Sequence, residues 1–313
     1  MTKIEILQVG PYPEWDEGPL NDTYHVHRFF EAKDKDAFLR DVGGEIRGVA
    51  CRGESVVSRS MIDRMPKLEM ISVYGVGYDG VDLEACRERG VRITNTPRIL
   101  AKDVADLAVA MLLALGRGLV PADGWVRSRS WKNVGPFPLQ RRIHGLRAGI
   151  LGLGQIGHEV ARRLHGFDMP VSYFSRMRKD TDWEYVEDPV TLASRVDVLF
   201  VTLAASAQTR HIVDEKVLAA LGPEGLLVNV SRAANVDEAA LLNALESKGI
   251  AGAGLDVFND EPDVNPRFLA LPNVVLQPHQ GSATLETRKA MGQLMRDNLD
   301  AHFSGRPLLT PIL

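Results

Sequence analysis

Short apolar runs alternate with stretches whose apolar residues return every three or four positions. A continuous run fits a strand buried on both faces, and the wider spacing fits one side of a helix. In the first third, runs at 4–9, 46–51, 68–73 and 91–94 predict strands. Helical spacing at 34–42 and 56–65 falls between them. Thr96-Pro97 interrupts the series, and a long apolar-sided helix is predicted over 101–118. A second series predicts six strands, at 148–151, 171–174, 198–202, 226–230, 252–257 and 274–277. A long amphipathic helix over 284–303 follows. Strand and helix in regular alternation specify parallel sheets with helices on their faces.

Residues 121–144 have no clear periodicity and hold Trp125, Trp131, Pro136, Pro138 and several arginines. A segment this long without structure of its own is usually functional or covered by a partner. It reads as an arm which, with the preceding helix, forms a homodimer contact over about 101–145. An irregular surface loop is the other reading.

Composition removes some classes of function. The 313 residues are 45% hydrophobic and 25% charged, which suits a globular protein. A net charge of −4 argues against a nucleic-acid partner. The longest apolar stretch, 107–115, falls short of the roughly 18–20 residues of a membrane span. The N-terminus enters an apolar strand directly, without the pattern of a signal peptide. A cytoplasmic protein with no membrane partner is therefore expected. Cys51 and Cys86 are the only cysteines, which suits a reducing compartment. No Cys and His cluster with ligand spacing is visible, so no metal is expected. His25 and His27 flank Val26 on one face of a possible strand and read as structural or surface residues. Residues 31–36 read as a solvated helix start.

The first chemical signal is Gly152-Leu153-Gly154-Gln155-Ile156-Gly157, set between the strand at 148–151 and helical spacing over 155–165. In this strand–turn–helix context the pattern binds a dinucleotide. Gly152 permits the tight turn, Gly154 admits the pyrophosphate, and Gly157 lets the helix approach the strand. The helix N-terminus offers N–H groups to phosphate. The expected fold class is accordingly α/β, with two Rossmann-like or flavodoxin-like parallel-sheet domains and an interdomain cleft. The expected division is 1–98 plus 285–313 for the substrate domain and 99–284 for the nucleotide domain.

About twenty residues on, an NAD site usually carries an acid for the ribose hydroxyls. Here the chain reads Ser175-Arg176-Met177-Arg178-Lys179. Ser175 can donate a hydrogen bond, and the planar fork of Arg176 matches a 2′-phosphate. NADP(H) is expected as the preferred cofactor, with NAD(H) as the other possibility.

Three polar residues follow late strands: Arg232, Glu261 and His279. With the glycine turn they carry a resemblance to the D-isomer-specific 2-hydroxyacid dehydrogenases over nearly the whole length. The matching segments are YGVGYD at 74–79, KDVAD at 102–106, NVSR at 229–232, VDE at 236–238, GLDVF at 254–258, EP at 261–262 and PHQGSAT at 278–284. Ser175-Arg176 and the ending GRPLLTP at 305–311 resemble the NADPH-preferring glyoxylate/hydroxypyruvate reductases within the family.

The resemblance implies reduction of a small 2-oxo acid, with His279 as general acid, Glu261 orienting its ring and Arg232 binding the carboxylate. It assigns substrate contacts to the backbone of Val76 and Gly77 as well as to Arg232 and His279. Cofactor contacts fall to Val104, Gly152, Gly154, Gln155, Ile156, Gly157, Ser175, Arg176, Val230, Ser231, Arg232, Asp256, His279 and Gly281. Ala233 stands where the family usually has glycine, and Gln280 replaces a smaller residue. Trp131 could reach a neighbouring subunit's site. Two other readings stay open. One is an NAD-dependent dehydrogenase of another substrate such as 3-phosphoglycerate, although the chain ends at Leu313 without a regulatory domain. The other is a nucleotide-sensing corepressor, which would need no proton relay.

Overall fold

Five parallel strands build the first sheet of the computed structural model, which describes residues 3–313. They are β1 (Glu5–Gln8), β2 (His25–Arg28), β3 (Gly48–Arg52), β4 (Met70–Tyr74) and β5 (Arg92–Thr94), in the order β2-β1-β3-β4-β5. Leu7, Val49, Ile71, Val73 and Ile93 belong to one core cluster. The helix Leu285–Phe303 packs on β4, where buried Ser72 donates to Met295 O at 3.0 Å and Tyr74 to Arg288 O at 2.7 Å. The tail then returns to the sheet, with Ile312 N donating to Ile93 O at 2.8 Å. This explains why the last segment joins the first hundred residues. One compact unit is Met1–Leu100 with Ala283–Leu313, and the other is Ala101–Ser282.

Two details of the first unit differ from the periodicity. The polar tetrapeptide His25–Arg28 is a full edge strand, paired in register with β1 from Glu5↔His25 to Gln8↔Arg28. The helix expected over 56–65 shrinks to Arg59–Asp63, because Ser58 caps it and Val57 bridges to Val81.

The second unit holds β6 (Ala148–Leu151), β7 (Val171–Phe174), β8 (Glu184–Tyr185), β9 (Val198–Val201), β10 (Leu226–Asn229), β11 (Gly252–Leu255) and β12 (Val274–Leu276). All pairings are parallel, in the order β12-β11-β10-β9-β6-β7-β8. Six strands were expected, and the seventh, β8, is a two-residue edge piece too short to show a period. Strand order reverses between β6 and β9, so a ligand crevice is expected beyond the strand C-termini there. The helix Ala101–Arg117 lies against β11, where a Cβ on Gly254 would come within 3.0 Å of Met111.

Gly118, at φ +57°, ends that helix. The segment read as aperiodic then forms two helices, Leu119–Arg127 and Ser130–Asn133, neither with a buried residue. Trp125 of the first packs edge-on against Phe137, with ring centroids 5.8 Å apart, and donates from Nε1 to Gly135 O at 3.0 Å. No single helix among the described residues is long and apolar enough to cross a membrane.

Candidate active site

Strand β6 runs into the glycine turn, and each glycine meets a different requirement. Gly152 sits at φ +100°, and a Cβ there would lie 2.9 Å from Leu203 Cα. A Cβ on Gly157 would lie 2.3 Å from Gly152 O and 2.8 Å from Thr202 Oγ1. Gly154 has nothing within 4 Å of its Cβ position, so its backbone borders open space. It begins the helix Gln155–Leu164 with no capping side chain and no acid in the first turn. The helices Lys35–Val42, Leu83–Arg89, Pro189–Ser194, Glu215–Leu221 and Glu238–Glu246 instead start from a capping aspartate. First-turn N–H groups lack intrahelical acceptors and sit at the positive end of the dipole. An end left uncapped, beside an open glycine, fits the pyrophosphate of a dinucleotide.

The loop after β7 carries the basic residues. Arg176, Arg178 and Lys179 are exposed, and Arg176 pairs with no carboxylate among the described residues. Ser175 is buried, and its hydroxyl donates to Met177 O at 2.5 Å. It therefore shapes the loop as it stands, and a bond to a ligand would need the hydroxyl to turn.

Parallel pairing brings the ends of β10, β11 and β12 to one edge of the sheet. His279 Nδ1 lies 2.6 Å from Glu261 Oε2, and Glu261 Oε1 accepts from Phe258 N at 2.8 Å. The carboxylate thus holds one ring nitrogen, while Nε2 has no partner among the described residues. Burial alone would raise the Glu261 pKa. The His279 hydrogen bond, the Phe258 N–H and the charges of His279 and Arg232 outweigh it and keep the carboxyl below its ordinary 4.5. The electrostatic influence of Arg232 on Glu261 puts all three residues in one field.

His279 has φ +51°, a left-handed conformation uncommon for a residue with a Cβ. Asp256, only 2% exposed, accepts from Gln280 N and Gly281 N, both at 2.8 Å. Burial raises its pKa despite those two bonds. The carboxylate thus fastens the backbone just after His279. A Cβ on Gly281 would approach Asp256 Oδ2 at 3.0 Å and Val104 at 3.2 Å, so Val104 packs on this turn. Gln280 bonds its side chain back to Gln277.

Sequence reasoning missed the residues that seat Arg232. Asn229 Oδ1 accepts from Ser231 N at 3.0 Å and Ser231 Oγ at 2.9 Å, and Asn229 Nδ2 donates to Arg232 O at 3.1 Å. Asn235, fully buried, donates from Nδ2 to Leu203 O and to Ser231 Oγ, both at 3.0 Å. The Ser231 hydroxyl is thereby engaged inside the protein. The available signal was an asparagine ending an apolar strand, a costly position unless its amide is satisfied. Arg232 itself is half-buried, with Nη1 donating to Ser231 O at 2.9 Å. Ala233 is not among the left-handed residues, so its methyl causes no backbone strain. Val230 is buried beside β9, with its N–H donating to Val201 O at 3.3 Å.

In the first unit, the turn at 75–77 is held by Asn95 Nδ2 donating to Val76 O at 2.8 Å and Thr96 N to Gly75 O at 2.8 Å. A Cβ on Gly75, at φ +158°, would come within 3.1 Å of Gly53 Cα. The N–H groups of Val76 and Gly77 have no acceptor among the described residues.

Residues 109–281 match the family model for the D-isomer specific 2-hydroxyacid dehydrogenase NAD binding domain. The chain is 44% identical to hydroxyphenylpyruvate reductase of Plectranthus scutellarioides, with both chains covered in full. It is 42% identical to glyoxylate/hydroxypyruvate reductase A of Arabidopsis thaliana, again over 100% of each. Among solved structures, the 2-hydroxyacid dehydrogenase of Ketogulonicigenium vulgare Y25 is 61% identical, with TM-score 0.94 and coverage of 100% of this chain and 99% of that one. The NADPH-dependent glyoxylate/hydroxypyruvate reductase of Sinorhizobium meliloti, solved with NADP and malonate, is 38% identical, with TM-score 0.92 and coverage of 99% and 97%. The chain belongs to the D-isomer specific 2-hydroxyacid dehydrogenase family of oxidoreductases.

Proposed function

We propose that this protein is an NADPH-dependent reductase of a small 2-oxo acid, glyoxylate or hydroxypyruvate, forming the D-2-hydroxy acid. The observation that carries the reading is the His279–Glu261 pair at 2.6 Å, in the field of Arg232 and on the sheet that bears the glycine turn. When bound, the cofactor supplies hydride to the carbonyl carbon. His279 gives the proton to the carbonyl oxygen from Nε2, because Glu261 occupies Nδ1. Glu261 stabilises the charged imidazolium between turnovers. Arg232 binds the carboxylate through two N–H groups and polarises the carbonyl. The N–H groups of Val76 and Gly77 are proposed as further carboxylate donors from the first unit. Gly152, Gly154, Gln155, Ile156 and Gly157 hold the pyrophosphate, and Arg176 the 2′-phosphate.

The test is a panel of glyoxylate, hydroxypyruvate, 4-hydroxyphenylpyruvate and 2-ketogluconate, assayed with NADPH and with NADH. The highest kcat/KM is expected for glyoxylate or hydroxypyruvate with NADPH. No turnover on the panel would favour a nucleotide sensor instead. Arg176→Ala should raise the NADPH KM about 10–100-fold, the loss of a charge-assisted contact, and leave NADH nearly unchanged. Equal losses with both cofactors would place the phosphate contact elsewhere.

The homodimer belongs to the same reading. Leu119, Val120, Val126, Trp131, Val134 and Leu139 are all exposed, a concentration of apolar surface that calls for a partner. Leu139→Asp with Val134→Asp should convert a dimer to a monomer in light scattering. A monomeric wild type would end the assignment.

A further inference from the structure

We propose that Glu5, His25 and His27 form a second site, apart from the reaction, that binds one divalent late first-row cation of the zinc class. The parallel register of β1 and β2 sets Glu5 opposite His25 and Leu7 opposite His27. Side chains alternate along a strand, so His25 and His27 share a face with Glu5. His25 Nδ1 lies 3.0 Å and His27 Nε2 2.5 Å from the Glu5 carboxylate. One ligand atom from each residue lies within 4.8 Å of the others. Bonds of about 2.0–2.2 Å to one tetrahedral ion would set these atoms about 3.4 Å apart, within reach of small side-chain rotations.

The surroundings suit that ion. The two imidazole rings lie 4.7 Å apart between centroids, and Phe38 meets the His27 ring edge-on at 6.4 Å. Strand β2 is the sheet edge, and His25 is exposed there, which leaves solvent access for a water as fourth ligand. The Lys3 ammonium donates to Asn21 O at 2.6 Å. Two imidazoles and one carboxylate select zinc, nickel or copper over calcium or magnesium. Such an ion would tie the edge strand to its neighbour and stabilise the first unit.

The test is calorimetric titration of chelator-stripped protein with Zn²⁺ alone, paired with thermal melts. One saturable Zn²⁺ per chain is expected, and a rise in Tm on adding it. Loss of an outer-shell partner alone costs 10–100-fold in metal affinity, so His27→Gln or Glu5→Gln should weaken binding at least about tenfold. The His25→Gln, His27→Gln double variant should lose the rise in Tm. His25 is exposed, so His25→Gln alone serves if the double variant does not fold. His279→Gln should bind Zn²⁺ as the wild type does, since His279 belongs to the other unit. The proposal is overturned by no saturable binding, by equal binding in the double variant, or by binding that disappears with His279→Gln.

Discussion

His279→Ala is expected to lower kcat by about 10²–10⁴-fold, the usual contribution of a positioned acid. Cofactor affinity should stay close to wild type, because the glycine turn and the Arg176 loop are untouched. Stopped-flow reduction rates with a parallel fluorescence titration of NADPH separate the two effects. Near-normal turnover would remove His279 from the chemistry. Glu261→Gln keeps the shape but loses the charge that favours imidazolium, so a smaller loss in kcat is expected. The Glu261 carboxyl is held below 4.5 by His279, Phe258 N–H and Arg232. A carboxylate with a lowered folded pKa keeps its contribution above the unfolded value and loses it as pH falls through the lower one. The wild-type acid limb assigned to Glu261 should therefore lie below pH 4.5, and a limb above that value that vanishes in Glu261→Gln would contradict the assignment.

Most of both sheets was legible because their strands are buried on both faces and read as unbroken apolar runs. Val49, Ile71, Ile150, Phe200 and Val228 are all fully buried. What escaped had other causes. β2, legible only as a possible strand around Val26, owes its conformation to pairing with β1, and no local apolar run marks His-Val-His-Arg. The helices at Leu119–Arg127 and Ser130–Asn133 are short and hold no buried residue, so their apolar positions do not mark out a side facing a core.

The candidate site divides in the same way. The proposed reacting groups, Arg232, Glu261 and His279, follow late strands and are chemically distinctive, so they could be named from the chain. The residues that seat them could not. Asp256 holds the backbone of Gln280 and Gly281 with its two oxygens, a bond pattern that sequence alone does not show. Asn235 acts on Arg232 through Ser231 and through its own N–H, which donates to Arg232 O at 3.2 Å. The Glu5 cluster joins residues twenty positions apart through strand register, a relation that spacing within one segment does not contain.

Arg232→Lys is expected to lower kcat/KM for the 2-oxo acid on the order of 10²-fold, or about 2.7 kcal/mol of transition-state stabilisation. Charge is conserved in this change, so a purely electrostatic role predicts a mild effect. A lysine ammonium offers one compact charge on a flexible stem and cannot present two parallel N–H groups to a carboxylate. It would also lose the bond from Arg232 Nη1 to Ser231 O, at 2.9 Å, which helps fix the fork. Both KM and kcat should suffer, because the same fork anchors the carboxylate and polarises the carbonyl. Cofactor affinity measured without substrate provides the control and should change little. A loss of less than roughly threefold in kcat/KM would reject bidentate recognition and leave Arg232 as a source of field alone.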